Sequence, residues 1–203
     1  MYAAHLAGIK VFVTGGIGGV HRGFEETMDV SADLEELAQT DVVVICAGAK
    51  AILDLPRTME YLETKGVPVI GYRTDVLPAF FTAKSDIPLV ERADSPEEIA
   101  KIILAKDQLE MRGGMLVVNP IPEEYSLDHE IIDQVIEGAV QAAQEQAQPA
   151  QILRRGSGRD NDGLGGEQGV KSELAQAWGA IDEAQVKLSL EGFKRLCQHL
   201  LAA

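Results

Sequence analysis

The chain reads as an α/β protein, with a mostly parallel sheet flanked by helices in α/β/α layers. Three observations predict this. Short apolar runs at 9–14, 42–47, 67–71 and 115–118 alternate with longer stretches of helical periodicity, the pattern of βαβ units. The runs are almost continuously apolar, as strands covered on both faces are. A glycine-rich segment follows the first run, at the end of a strand, where open α/β sheets bind their ligands. At 203 residues the chain has the size of one domain, and its apolar fraction of 46% is ample for a core.

The first run, Ile9-Lys10-Val11-Phe12-Val13-Thr14, opens into a segment from Gly15 to Gly23 with five glycines in nine residues. Such a loop lets a ligand approach the backbone amides closely. It is neither a Walker pattern nor a dinucleotide fingerprint, since no Gly-Lys-Ser/Thr follows and the glycine spacing is wrong. His21 and Arg22 add a titratable ring and a fixed cation, both suited to an anionic ligand.

Ser31 is a good N-cap for a helix over 31–39 that carries Leu34 and Leu37. Asp33 and Glu35 then stand in the first turn, where acids complement the helix dipole, and Glu35 needs no other role. Asp29 and Asp33 flank the cap, close in sequence to His21. A carboxylate there suits a hard divalent cation that keeps most of its waters.

The strand over 42–47 ends in Gly48-Ala49-Lys50, and Ile52, Leu53, Leu55, Met59 and Leu62 predict a helix over 50–65. Lys50 therefore falls on the ligand edge of the sheet. Partial burial and the positive end of the helix would both disfavour its charged form, which makes it a candidate imine-forming nucleophile.

A strand over 67–71 follows, then a helix over 96–108. Ser95-Pro96-Glu97-Glu98 supplies that helix with an N-cap, a proline in the first position and a capping-box glutamate. After the strand at 115–118, Asn119-Pro120-Ile121-Pro122 must be extended, because each proline restricts the residue before it. Asn119 is placed there either to meet a ligand or to stabilise the loop. A final helix is predicted over 129–147. Residues 148–170, rich in glycine and charge, read as a linker, and 171–203 as a helical tail with Leu188, Phe193, Leu196 and Leu200 on a partly amphipathic stripe.

Composition excludes several functions. The net charge of −14 argues against binding nucleic-acid backbones or anionic membrane surfaces. No run of about eighteen apolar residues is present, so no membrane span is expected. Cys46, in a buried strand, and Cys197, in the tail, do not make a disulfide framework. The start lacks a convincing signal peptide, which predicts a cytoplasmic protein.

Three segments in order, from Phe12 to Gly23, from Asp29 to Leu34 and from Cys46 to Lys50, resemble the pseudouridine-5′-phosphate glycosidase family, also called indigoidine synthase A-like. The resemblance continues through Glu60-Tyr61-Leu62 to Tyr72, Leu77-Pro78-Ala79-Phe80-Phe81, the segment from Asp94 to Ala100 and Val118-Asn119-Pro120-Ile121-Pro122. It covers residues 3–147, so 1–147 is expected to form a partial domain of that family.

The resemblance implies cleavage of the C–C glycosidic bond of pseudouridine 5′-phosphate to uracil and ribose 5-phosphate, with a divalent metal, typically manganese, and a homotrimer. By the same resemblance Lys50 matches the nucleophile that forms an imine with C1 of the opened ribose. Asp29 matches the metal ligand, Ser31, Ala32 and Asp33 the substrate-binding stretch, and Thr14 and His21 positions that line the site.

The sequence also departs from the family. Met1 falls inside the helix before the first motif, so the general-acid glutamate and a further phosphate-binding lysine of the family have no counterpart here. Residues 151–166 stand where the family continues towards an active-site asparagine. The alternative to an active enzyme is therefore a catalytically incomplete fragment that keeps the sugar-phosphate-binding loops, with exposed sheet edges and poor solubility. A nicotinamide-cofactor domain is the weakest reading, because no acidic residue ends a second strand at the distance that holds a ribose.

Overall fold

The computed structural model describes residues 1–146. The linker and tail expected over 148–203 lie outside the described residues. The element order is α1 (Tyr2–Leu6), β1 (Val11–Val13), α2 (Phe24–Thr27), α3 (Ala32–Gln39), β2 (Val43–Cys46), α4 (Leu55–Thr64), β3 (Val69–Tyr72), β4 (Glu91–Ala93), α5 (Pro96–Gln108), β5 (Met115–Val118) and α6 (His129–Gln146), with a 3₁₀ turn at Glu123–Tyr125.

All five strands are parallel, in the order β1-β2-β5-β3-β4. The chain steps from β1 to β2, passes over one position to β3 and β4, and returns through α5 to lay β5 in the centre. Every residue of β2 and β5 is buried, which accounts for their unbroken apolar sequence.

Alternate residues along these central strands feed two cores. On one face Val44, Cys46, Leu116 and Val118 pack with Leu34 and Leu37 of α3 and Leu62 of α4. On the other, Val43, Ile45, Met115 and Val117 pack with Ile70 and with Ile99 and Ile103 of α5. The sheet is thus sandwiched between helices, as the α/β/α expectation requires. Burying one such leucine or isoleucine contributes about 1.5–3 kcal/mol.

Helix starts follow the side chains written at them. Ser31 Oγ accepts from Asp33 N–H at 3.2 Å and caps α3. Ser95 Oγ accepts from Glu98 N–H at 3.2 Å. The return bond of that cap differs from the expected box: Glu98 Oε2 accepts from Asp94 N–H, one residue before the cap, at 2.7 Å.

One helix begins later than its periodicity suggests. Instead of running from residue 50, α4 starts at Leu55, with Asp54 as N-cap accepting from Arg57 N–H at 3.1 Å and Pro56 in the first turn. The apolar Ile52 and Leu53 belong to a turn, in which Leu53 N–H donates to Lys50 O at 3.0 Å. The strand β4 was not foreseen. Among the described residues no helix is long and apolar enough to cross a membrane.

Candidate functional site

The parallel pairing of β1 and β2 continues past their ends as a ladder without strand geometry. Thr14 N–H donates to Ile45 O at 3.0 Å, Ala47 N–H to Gly15 O at 2.9 Å, Ile17 N–H to Gly48 O at 3.1 Å and Lys50 N–H to Ile17 O at 3.2 Å. The glycine-rich loop is therefore laid along the turn that ends in Lys50, with Ile17 paired to Ala49 and both buried. The Leu77–Phe81 motif holds the other side of that turn. Ala79 bridges Gly48, and Phe80 N–H donates to Ala47 O at 3.0 Å from a left-handed backbone with φ of 63°.

The same loop is fastened to the start of α3. Gly18 N–H donates to Asp33 Oδ2 at 2.8 Å, and Ser31 N–H donates to Gly19 O at 3.0 Å. A side chain does not fit at residue 18, because a Cβ there would stand 2.2 Å from Ser31 Oγ and 2.5 Å from Ser31 Cβ. The first-turn carboxylate of Asp33 thus does more than complement the helix dipole, since it fixes the loop backbone.

One residue further on, Val20 bridges both Val30 and Asp54, and His21 N–H donates to Asp29 O at 3.0 Å. The His21 ring and the Asp29 carboxylate face each other, with Nδ1 and Oδ2 3.7 Å apart. That separation is an ion pair when the ring is protonated and is too long for a hydrogen bond. Both side chains are exposed.

The predicted site residues thus gather around one loop. Thr14 and Lys50 stand on the extended β1–β2 ladder, Ser31 and Asp33 on Gly18 and Gly19, and His21 and Asp29 on each other. Ala32, exposed, is the first residue of α3.

Lys50 differs from its expected setting. It is exposed, five residues before α4 begins, so neither the expected burial nor a helix N-terminus is present there. Its amine makes no side-chain hydrogen bond or ion pair among the described residues. Arg22 has partners within the fold. It donates to Ala51 O at 3.4 Å and faces Asp133 of α6 at 3.9 Å.

Cys46 is core, as its strand position implies. Burial pushes its thiol up to about 12, and Sγ lies 3.5 Å from Gly48 O, so it is no thiolate nucleophile at neutral pH. Asn119 N–H donates to Cys46 O at 2.8 Å, which ties the extended proline loop to the same edge.

Sequence reasoning missed two residues of this region. Thr58 has only 1% of its surface exposed and bonds the loop backbone, and Phe80 adopts the left-handed backbone beside the Lys50 turn. A polar residue on the inward stripe of α4 was the available signal for Thr58. The sequence carries none for the conformation of Phe80.

The fold and this edge define an α/β protein with a lysine turn and a glycine loop at the carboxyl end of a parallel sheet. The family described as "Indigoidine synthase A like protein" matches residues 1–152, and the chain belongs to it. Over 140 residues it is 63% identical to pseudouridine-5′-phosphate glycosidase of Caldanaerobacter subterraneus subsp. tengcongensis, covering 69% of this chain and 46% of that protein. The crystal structure of an indigoidine synthase A-like protein from Thermotoga maritima aligns with a TM-score of 0.71 and 30% identity, over 98% of this chain and 61% of that one. The prealnumycin C-glycosynthase AlnA, solved in complex with ribulose 5-phosphate, aligns with a TM-score of 0.70 and 34% identity, over 99% of this chain and 60% of that one. The chain spans about half the length of the curated relatives it matches.

Proposed function

We propose that this chain takes part in cleaving the C–C glycosidic bond of pseudouridine 5′-phosphate, with Lys50 as the imine-forming amine. The observation that carries this reading is the ladder that lays the glycine loop along the Lys50 turn while Asp33 pins Gly18. The relatives named for this activity and the neighbour holding a pentulose phosphate support the same substrate class.

The chemistry requires an electron sink, because a carbon–carbon bond cannot leave by protonation of an oxygen. The sugar opens as its C1–O4 bond breaks, with O4 keeping the electron pair and taking up a proton. The lysine amine bonds to C1 and gives up a proton. As the bond from C1 to the base breaks, its electron pair goes to the base carbon, which takes up a proton. The C–N bond then becomes a protonated imine. Water hydrolyses that imine, releases ribose 5-phosphate and restores the amine. In this reading the amides of Gly15, Gly16 and Gly19 and the stretch Ser31, Ala32 and Asp33 hold the sugar phosphate, and Thr14 and His21 line it.

A divalent metal, manganese, belongs to the same proposal. Among the described residues no three His, Cys, Asp or Glu side chains converge as ligands. The exposed Asp29 carboxylate would hold such an ion, which would keep most of its waters. Bound there, the metal would supply positive charge to orient an anionic substrate. A homotrimeric assembly and a cytoplasmic location complete the proposal.

A second reading is a binding module that keeps the sugar-phosphate loops without turnover. The exposure of Lys50 and its distance from the start of α4 favour it. Uracil release from pseudouridine 5′-phosphate with added manganese separates the two. Turnover abolished by Lys50→Ala supports the enzyme, whereas a folded chain that binds ribose 5-phosphate without releasing uracil supports the module.

A further inference from the structure

The Lys50 turn meets the His21–Asp29 segment through the Val20–Asp54 bridge and the Arg22 bond to Ala51 O. A buried hydroxyl on α4 braces that junction from inside. Thr58 Oγ1 accepts from Val20 N–H at 3.0 Å and donates to Asp54 O at 2.7 Å. Val20 immediately precedes His21, and Asp54 closes the turn that begins at Lys50. Asp54 N–H in turn donates to Val20 O at 2.9 Å, so the hydroxyl completes a closed set of three bonds between the two segments.

The packing shows that the loop is shaped around this group. A Cβ on Gly19 would stand 2.4 Å from Thr58 Oγ1 and 2.9 Å from its methyl. With Thr58 1% exposed, water cannot replace the hydroxyl, and its loss leaves Val20 N–H without a partner.

We propose that Thr58 is a positioning residue, which holds the lysine turn and the His21–Asp29 segment in one fixed relation. The inference rests on the reading of Lys50 as the imine-forming amine. Thr58 touches neither substrate nor metal in this account and acts through Val20 and Asp54. The hydroxyl carries the role, so serine is expected to keep it and valine, of the same shape, to lose it.

The test compares Thr58→Val, Thr58→Ser and Ile103→Val with the wild-type chain. Ile103 lies in the core on the opposite face of the sheet, so its truncation destabilises the protein without touching the loop. Two quantities are read for each variant at a temperature where it is folded. One is the rate of borohydride trapping of ribose 5-phosphate on Lys50. The other is amide hydrogen exchange in the segments 15–21 and 47–54.

Thr58→Val is expected to slow trapping by about tenfold, the scale of one unsatisfied buried donor, and to speed exchange in both segments. Thr58→Ser is expected to stay within about threefold of wild type, and Ile103→Val to leave trapping and both segments unchanged. Wild-type exchange in 47–54 of Thr58→Val overturns the proposal, as does a serine variant that is as slow as valine or an equal slowing by Ile103→Val. If the wild type itself traps nothing, the reading of Lys50 fails, and the exchange pattern still decides whether Thr58 couples the two segments.

Discussion

Placing an alanine at residue 18 tests the joint between loop and helix, because the structure leaves no space for it. The new Cβ would lie 2.2 Å from Ser31 Oγ, 2.5 Å from Ser31 Cβ and 3.2 Å from Asp33 Oδ2. Rotating the serine hydroxyl removes only the first contact, since the Ser31 Cβ is fixed to the backbone. The α3 cap and the loop must therefore move apart. That movement stretches the 2.8 Å bond from Gly18 N–H to Asp33, and turning the serine hydroxyl away breaks its 3.2 Å cap bond with Asp33 N–H.

Overpacking of this kind costs about 1–3 kcal/mol, and the weakened charged hydrogen bond brings Gly18→Ala to the upper end of that range. For a chain of this length each kcal/mol lowers Tm by about 2–4 °C. Urea unfolding followed by far-ultraviolet circular dichroism reads the loss. Ser31→Gly should cost only a few tenths of a kcal/mol as a cap, about the difference between the two residues. It also removes both clashing atoms, so the double variant should be more stable than the sum of the single effects by about 1–2 kcal/mol. Additive effects, or Gly18→Ala unfolding at the wild-type midpoint, would refute the close approach of loop and helix.

Other expectations follow from the cores and the ionisable groups. Leu34, with 0% exposure, should cost about 2–5 kcal/mol when truncated to alanine. Leu104→Ala, at an exposed position, should change the urea midpoint little. Desolvation alone would raise the Asp41 carboxyl. The Lys106 hydrogen bond and the charges of Lys106 and Lys10 outweigh it and hold Asp41 below its usual value. A carboxyl held low in the fold adds stability above its unfolded pKa, and that stability fades as pH falls through the folded value. The difference in unfolding free energy between wild type and Asp41→Asn should therefore be flat above about pH 5 and shrink below it. A difference that does not change with pH would contradict the pairing. Cys46, buried and held as a thiol, should resist iodoacetamide in the native protein at pH 8 and react once urea unfolds it, read by mass spectrometry at that residue. Labelling of the native protein would contradict its burial.

Much of the sheet was legible because β2 and β5 are central strands, apolar on both faces, and such runs have few other solutions. The strand β4 was not, since Glu91 and Arg92 are exposed at the sheet edge and only Ala93 is buried. The start of α4 was misplaced because Ile52 and Leu53 extend its apolar pattern backwards. The cap and proline at Asp54 and Pro56 were the better guide.

At the site, the Ser31 cap could be read from local rules. The bond from Gly18 to Asp33 spans fifteen residues and that from Val20 to Thr58 thirty-eight, and no local periodicity encodes either. The partners of Arg22, Ala51 O and Asp133, likewise come from distant segments.

The central claim is that Lys50, carried on the turn beside the glycine loop, is the amine that bonds the sugar. Incubating the folded chain with ribose 5-phosphate and borohydride, then mapping the adduct by peptide mass spectrometry, tests it most directly. The account predicts one sugar-phosphate adduct per chain, on Lys50, absent from Lys50→Ala. An adduct spread over surface lysines, or an unmodified Lys50 in a folded protein, would contradict it.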